Sequence, residues 1–252
     1  MAESFGADAE RYDRTRPRYP AAMVERIVAA GPGPDVLDVG TGTGIAARQF
    51  QAAGCTVLGV EPDARMADLA RGFGLEVEPA KFEDWDPAGR VFDTVIAAQA
   101  WHWIDPVAGA AKAARALRPG GRLAVFWNAF QPPPELGEAF SAVYRRAIPD
   151  SPISRLGVTG PDDYAPMCAK AADGIRQAGA FGEPEEWRFD WDRPYTRDEW
   201  LDQLPTFGGH SRFPAATLRE IVAGVGAAVD AAGGAFTMRY TAVVVTAERT
   251  AA

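Results

Sequence analysis

The run Val36-Leu37-Asp38-Val39-Gly40-Thr41-Gly42-Thr43-Gly44 constrains this chain more than any other: an apolar strand ends in an acid two residues ahead of a glycine-rich turn. Glycines there let the backbone turn tightly and touch a ligand, whose polar parts meet the N–H groups of the helix that follows. Strand, turn and helix in this order open a βαβ unit, and the alternation continues to Asn128. The expected strands are Asp35–Val39, Thr56–Glu61, Leu75–Glu78, Thr94–Ala98 and Arg122–Trp127, apolar enough to be covered on both faces. Helices are expected at Ile45–Ala53, Ala64–Phe73 and Pro106–Leu117, with apolar spacings such as Met66, Leu69 and Phe73. This pattern predicts a mainly parallel α/β sheet with right-handed crossovers.

Ahead of the sheet, Met23, Val24, Ile27 and Val28 form one stripe on a helix at Ala21–Ala30, and the polar Arg11–Pro20 is expected to be irregular. Gln131-Pro132-Pro133-Pro134 stops regular structure, so residues 131–183 are expected to form an insert or lid with one helix at Glu135–Arg146. Strand character returns at Glu185–Trp191. Thr196 with Glu199 is a capping-box signature for a short helix carrying Trp200 and Leu204. A longer amphipathic helix follows near Ala215–Ala232. Gly233-Gly234 then turns the chain into a strand where Phe236, Met238 and Tyr240 alternate with Thr237, Arg239 and Thr241. The two late strands are expected to form an antiparallel edge pair, completing one domain over residues 1–252: arm and helix to 30, binding core 31–130, insert, and a C-terminal part from 184.

Composition narrows the function. Hydrophobic residues make up 47% of the chain and charged residues 24%, enough for a sizeable core. A net charge of -8 disfavours a surface that must neutralise phosphates, so nucleic acid is not an expected partner. No apolar run approaches a membrane span, and the start lacks a signal-peptide core, which reads as a cytoplasmic protein with no membrane partner. Two cysteines, Cys55 and Cys168, outside any C-x-x-C pair, and two histidines, His102 and His210, point to no metal site. Oligomeric state is open.

The second strand, Val57-Leu58-Gly59-Val60-Glu61, ends in a carboxylate that can accept hydrogen bonds from vicinal ribose hydroxyls. Dinucleotides and S-adenosylmethionine both fit such a pair. The glycine register separates them: G-x-G-x-x-G asks for glycine at position 45, where Ile45 stands, and the third glycine comes one residue early at Gly44.

Val36–Gly44 resembles motif I of the class I methyltransferases, and Glu61-Pro62 resembles their acidic ribose-binding strand end. Phe92 to Asp105 is similar to the fourth-strand motif of the branch related to trans-aconitate and ubiquinone-type methyltransferases, and Leu117-Arg118-Pro119-Gly120-Gly121-Arg122-Leu123 to their fifth-strand turn. Tyr12, Arg16-Pro17 and Tyr19-Pro20 match the branch's N-terminal arm. The resemblance implies a Rossmann-like seven-stranded sheet in the order 3-2-1-4-5-7-6 with strand 7 antiparallel, and S-adenosyl-L-methionine as cofactor. It implies that Gly40, Thr41 and Gly42 approach the methionine part, with Gly44 also among the cofactor-binding residues, that Asp38 organises its ammonium, and that Glu61 holds the ribose. Pro62 and Phe82 would flank adenine with Glu83 at its polar edge, although relatives place a small or acidic residue where Lys81 stands. The arm folds over the cofactor in relatives, so Arg16 or Tyr12 would bind a carboxylate of cofactor or substrate.

Ala98 and Gln99 fall at the carboxyl edge of the sheet, where α/β folds bind ligands. Trp101 is expected as a pocket wall, whereas Trp103 fits core or wall equally. Trp127 and Asn128 face either pocket or insert. His102 reads as a structural residue or as a base, since an ordinary imidazole takes a proton from a hydroxyl near neutrality.

Methyl transfer from a sulfonium is an in-line displacement that needs alignment and water exclusion more than covalent machinery. The expected activity is O-methylation of a small hydroxylated or carboxylated molecule, with His102 enlisted for a hydroxyl. Alternatives are N- or C-methylation, a nicotinamide-dependent oxidoreductase, which the glycine register opposes, and a non-catalytic cofactor-binding regulator.

Overall fold

The structure, a computed structural model, describes residue 6 and residues 8–149 and 160–250. One sheet runs through it in the order β3-β2-β1-β4-β5-β7-β6. The strands are β1 Asp35–Val39, β2 Thr56–Val60, β3 Glu76–Glu78, β4 Phe92–Ala98, β5 Leu117–Gln131, β6 Glu185–Thr196 and β7 Ala235–Glu248. β1 pairs in parallel with both β2 and β4, and β4 with β5. β7 runs antiparallel to β5 and to β6. This is the topology that the resemblance implied. Both β5 and β7 reach well beyond the expected spans, because each supplies hydrogen bonds to the other from Arg122 opposite Glu248 to Gln131 opposite Arg239.

Alternation along the strands splits the core in two. Leu37, Val95, Leu123, Val125 and Val243 face one side, where they meet α5 (Pro106–Ala116) and α7 (Pro161–Ala178) through residues such as Ala113 and Ile175. Val36, Ile96, Ala124, Phe126 and Val244 face the other, under α2 (Ala21–Ala30), α3 (Ile45–Ala52) and α4 (Ala64–Gly72). A third cluster covers the far ends of β6 and β7, where Tyr195, Phe236, Met238 and Tyr240 pack against α6 (Pro134–Ala147), α8 (Arg197–Gln203) and α9 (Ala215–Ala231). Among the described residues no helix is long and apolar enough to cross a membrane.

Two segments differ from the sequence-based expectation. The arm opens with a helix, α1 (Ala9–Thr15), rather than an irregular stretch: Asp8 caps it by accepting the Arg11 N–H at 3.1 Å. Pro17 stops it, since the residue before a proline is pushed to extended backbone, and Arg16 has φ -63° and ψ 141°. The other is α7, whose 18 residues lie in the expected insert. Pro161 at its first turn and Asp163, which accepts the Gly160 N–H at 3.1 Å, start a helix that loop-like composition concealed. Residues 150–159 of the expected insert lie outside the described residues.

Candidate active site

The glycine turn is locked by hydrogen bonds rather than by composition alone. Gly40, Gly42 and Gly44 all have positive φ, at 67°, 58° and 83°. The N–H groups of Gly40 and Thr41 both donate to the Val60 carbonyl, at 2.8 and 3.2 Å, so the turn after β1 is pinned to the end of β2. Glu61 completes the link, accepting the Gly42 N–H at 2.8 Å through Oε2 and the Asp63 N–H at 2.9 Å through Oε1. Burial pushes the Glu61 carboxyl up from its ordinary range, and the two backbone donors pull the other way. A carboxylate held at both oxygens still has lone pairs for ribose hydroxyls.

The glycines divide by role. A Cβ at Gly42 would meet nothing within 4 Å, which leaves an open cradle for a ligand. A Cβ at Gly40 would sit 2.6 Å from that of Ala100, so this glycine permits close packing of β1 on the loop after β4. Gly44 is corrected: it lies outside the cavity, as the left-handed residue that starts α3, and a Cβ there would come within 3.1 Å of Leu75.

Asp38 is fully buried beneath the turn. Its Oδ2 accepts the Thr41 hydroxyl at 2.7 Å, and its Oδ1 has no partner. Desolvation pushes this carboxyl up to about 7, opposed by the Thr41 hydroxyl and reinforced by the Glu61 charge. Such an orphaned buried acceptor is costly unless something donates to it. The donors of an ammonium group fit it.

A cavity of about 730 Å³ runs along the carboxyl edge of the sheet. Glu61, Pro62, Met66, Lys81, Phe82 and Glu83 line one end. Phe82 is 3% exposed and backed by Trp85, with ring centroids 6.3 Å apart. In the middle lie Gly40, Gly42, Ala98 and Gln99. Gln99 adopts φ 55°, a left-handed backbone rare for a side-chain-bearing residue, and its N–H donates to the Phe126 carbonyl at 2.9 Å.

His102, Trp103, Trp127, Asn128, Phe130, Phe207 and Tyr240 line the other end. Here Trp101 is corrected. It is 2% exposed, packs near Phe82 and beside Gly109, and does not line the cavity. Trp103, 40% exposed, supplies the wall instead. The reason is local: Trp101–Trp103 form one 3-10 turn, which swings successive side chains about 120° apart, one inward and two outward. His102 Nδ1 accepts the Trp127 indole N–H at 3.2 Å. Desolvation lowers the imidazole from its ordinary range, so His102 is neutral at neutral pH.

The arm closes this end. Arg16 lies over the rings of Tyr12 and Phe207, 4.9 and 4.8 Å from their centroids, and donates to the Thr206 carbonyl at 2.5 Å. Its Nε is buried without a partner, and among the described residues no carboxylate reaches ion-pair distance of it. Asn128 bridges arm and sheet, donating to the Arg18 carbonyl at 3.2 Å and accepting the Trp191 indole N–H at 3.3 Å. Tyr12, Arg16, Gly40, Thr41, Gly42, Gln99 and Asn128 also surround a side pocket beside the turn.

Sequence reasoning missed Tyr164, Met167, Gln203, Phe207 and Tyr240, which line the cavity from α7, the end of α8, the 3-10 turn after it and β7. Only Tyr240 carried a signal, the alternation in the last strand. A polar triad fixes its place: the Tyr195 hydroxyl donates to Gln203 Oε1 at 2.9 Å and lies 2.7 Å from the Tyr240 hydroxyl.

Comparison with known proteins agrees with this geometry. A methyltransferase-domain family matches residues 12–232. An uncharacterized methyltransferase of Mycobacterium tuberculosis is 37% identical over 131 residues, 51% of this chain and 53% of the relative. The chain thus spans about half the length of these curated relatives. A demethylmenaquinone methyltransferase of a Mycobacterium species is 28% identical over 191 residues, 71% of this chain and 80% of the relative. In structure, the chain resembles a protein from Anaeromyxobacter dehalogenans assigned as a type II methyltransferase, with a TM-score of 0.67 and 24% identity over 94% of this chain and 99% of that one. It also resembles a Haemonchus contortus phosphoethanolamine N-methyltransferase bound to S-adenosylhomocysteine, with a TM-score of 0.56 and 16% identity over 100% of this chain and 60% of that one. With the glycine turn, the acid at the end of β2 and the sheet order all in place, this chain belongs to the methyltransferase-domain family, the class I S-adenosylmethionine-dependent methyltransferases.

Proposed function

We propose that this chain is an enzyme that transfers a methyl group from S-adenosylmethionine to an oxygen of a small, flat, largely apolar acceptor. One observation carries the reading: a single cavity joins the Glu61 and Phe82 end to an aromatic chamber walled by Trp103, Trp127, Phe130 and Phe207, across the turn at Gly40 and Gly42. Bound S-adenosylmethionine supplies an activated methyl on a sulfonium.

The chain's own residues do the rest. Glu61 accepts from the ribose hydroxyls, and Pro62 and Phe82 flank the adenine, with Glu83 at its polar edge. Asp38 Oδ1 and the Gly40–Gly42 backbone receive the amino-acid end, and Arg16, beside Tyr12, takes its carboxylate through the unpaired guanidinium edge. Ala98 and Gln99 form the floor between the two ends. The aromatic rings hold the acceptor flat against this floor, which fixes the line of approach and keeps water out.

The test is incubation with isotopically labelled S-adenosylmethionine and a metabolite extract, followed by mass spectrometry. A labelled product gaining one CH₂, with fragmentation placing the label on oxygen, supports the reading. Label on nitrogen or carbon, or no labelled product with cofactor bound, overturns it.

A further inference from the structure

Trp127 and His102 together set what the acceptor end of the cavity can offer. An indole carries one N–H and no available lone pair, so it only donates. Trp127, 1% exposed and fixed in β5, donates through Nε1 to His102 Nδ1 at 3.2 Å. His102 Nδ1 must therefore present its lone pair, and in a neutral imidazole the proton then sits on Nε2. An imidazolium would set N–H against N–H, so the same contact also opposes protonation.

We propose that Trp127 holds His102 as an N–H donor through Nε2, and that the acceptor oxygen it meets is already anionic: a carboxylate, or an enol or phenol acidic enough to ionise by itself. This rests on the transfer to oxygen proposed above. It replaces the expectation of His102 as a base. The nitrogen able to take a proton is the one that Trp127 occupies, and Nε2 has no lone pair to give.

Other groups at this end do not substitute. Among the described residues the carboxylates lining the cavity are Glu61 and Glu83, both at the opposite end. Burial raises the phenols of Tyr164 and Tyr240, which keeps both protonated. An ionised oxygen asks for no proton acceptor: it forms its bond to the methyl carbon while the carbon–sulfur bond breaks, and that electron pair stays on sulfur. A donor at Nε2 holds such an oxygen in line and selects it over a neutral hydroxyl.

Two measurements test this. Long-range proton–nitrogen NMR correlations on histidine-labelled protein near neutral pH report the tautomer, with the His102 signals identified by their loss in His102→Gln. The expected result is an unprotonated Nδ1 and a protonated Nε2, with both tautomers populated in Trp127→Phe. A protonated Nδ1 in the wild-type protein, or a tautomer unchanged in Trp127→Phe, overturns the proposal. The second measurement compares label transfer to the extract. His102→Ala should lose roughly tenfold or more of the wild-type yield, and His102→Gln, which keeps an N–H donor but is no base, should recover a clear part of that loss. Equal loss in both variants, with cofactor binding by calorimetry intact, also overturns it. Absence of any labelled product from wild-type protein sinks the proposed transfer instead, and the tautomer result stands apart from that failure.

Discussion

Glu61 Oε2 accepts the backbone N–H of Gly42 at 2.8 Å, so the acid that ends one strand is fastened to the glycine turn that ends its neighbour. The pair lies 19 residues apart in sequence. Parallel pairing of β1 and β2, with Val39 opposite Val60, puts them side by side. The bond makes the Glu61 carboxylate and the turn one rigid unit.

Glu61→Ala strips acceptors from the N–H groups of both Gly42 and Asp63. It should weaken S-adenosylhomocysteine binding by about a hundredfold, since a lost charged acceptor costs roughly 1.5–3 kcal/mol and the turn loosens with it. Glu61→Gln should recover part of that loss. Isothermal titration calorimetry of the three proteins measures it, and unchanged affinity in Glu61→Ala would show that the ribose binds elsewhere.

Cofactor binding should release a proton from Asp38. Its folded pKa of about 7 is raised by burial. It lies above the roughly 3.9 of an unfolded aspartate, so its contribution to stability is fully present below about pH 4 and is lost as pH rises through about 7. An ammonium donating to Oδ1 favours the ionised form and reverses this shift. Binding heats near pH 6 should therefore depend on the ionisation enthalpy of the buffer, and Asp38→Asn should abolish the dependence. Equal dependence in the variant would assign the proton to another group.

The two tryptophans of the 3-10 turn should separate stability from binding. Trp101→Ala removes a buried ring and should cost about 3–5 kcal/mol of unfolding free energy in denaturant titration. Trp103→Ala, at an exposed wall, should change stability by less than about 0.5 kcal/mol while lowering label transfer to the extract. A stability loss of the same size in both would return Trp103 to the core.

Asp202 ties the arm down, with Oδ1 receiving Arg11 Nε at 2.9 Å and Oδ2 receiving Arg14 Nη2 at 2.8 Å. These groups are partly exposed, so Asp202→Ala should cost only about 0.2–1 kcal/mol globally. Limited proteolysis should nonetheless cut the arm faster in the variant, and bound S-adenosylhomocysteine should restore protection. No change in cleavage would mean that the arm's other ties, among them Asp13 accepting from Thr43 and Arg48 and Arg16 donating to Thr206, hold it without Asp202.

The sheet and its cofactor edge were legible because their signals are short-range. Val36–Gly44 carries its apolar strand, its acid and its glycines within nine consecutive residues. Period-two and three-to-four-residue spacings fixed most strands and helices to within a residue or two, as at Asp35–Val39 and Ala21–Ala30. The departures follow from competing local rules. The α1 helix depends on one capping aspartate in a polar stretch, and α7 begins at prolines and glycines that elsewhere signal loops.

The amino-acid order by itself determined the α/β class, the strand-turn-helix that forms the glycine cradle, and the placing of Asp38 and Glu61 at strand ends, since each depends on neighbours along the chain. Only the tertiary structure decided which indole faces the cavity, that Gly44 faces away from it, and which nitrogen of His102 is occupied. The first two follow from the local turns at Trp101–Trp103 and Gly44 once these are packed against the sheet, and the third hangs on a contact between distant segments, Trp127 meeting His102 across 25 positions. The aromatic end of the cavity is assembled from the arm, β5, α7, the segment from the end of α8 to Phe207, and β7, so packing alone brings these groups together.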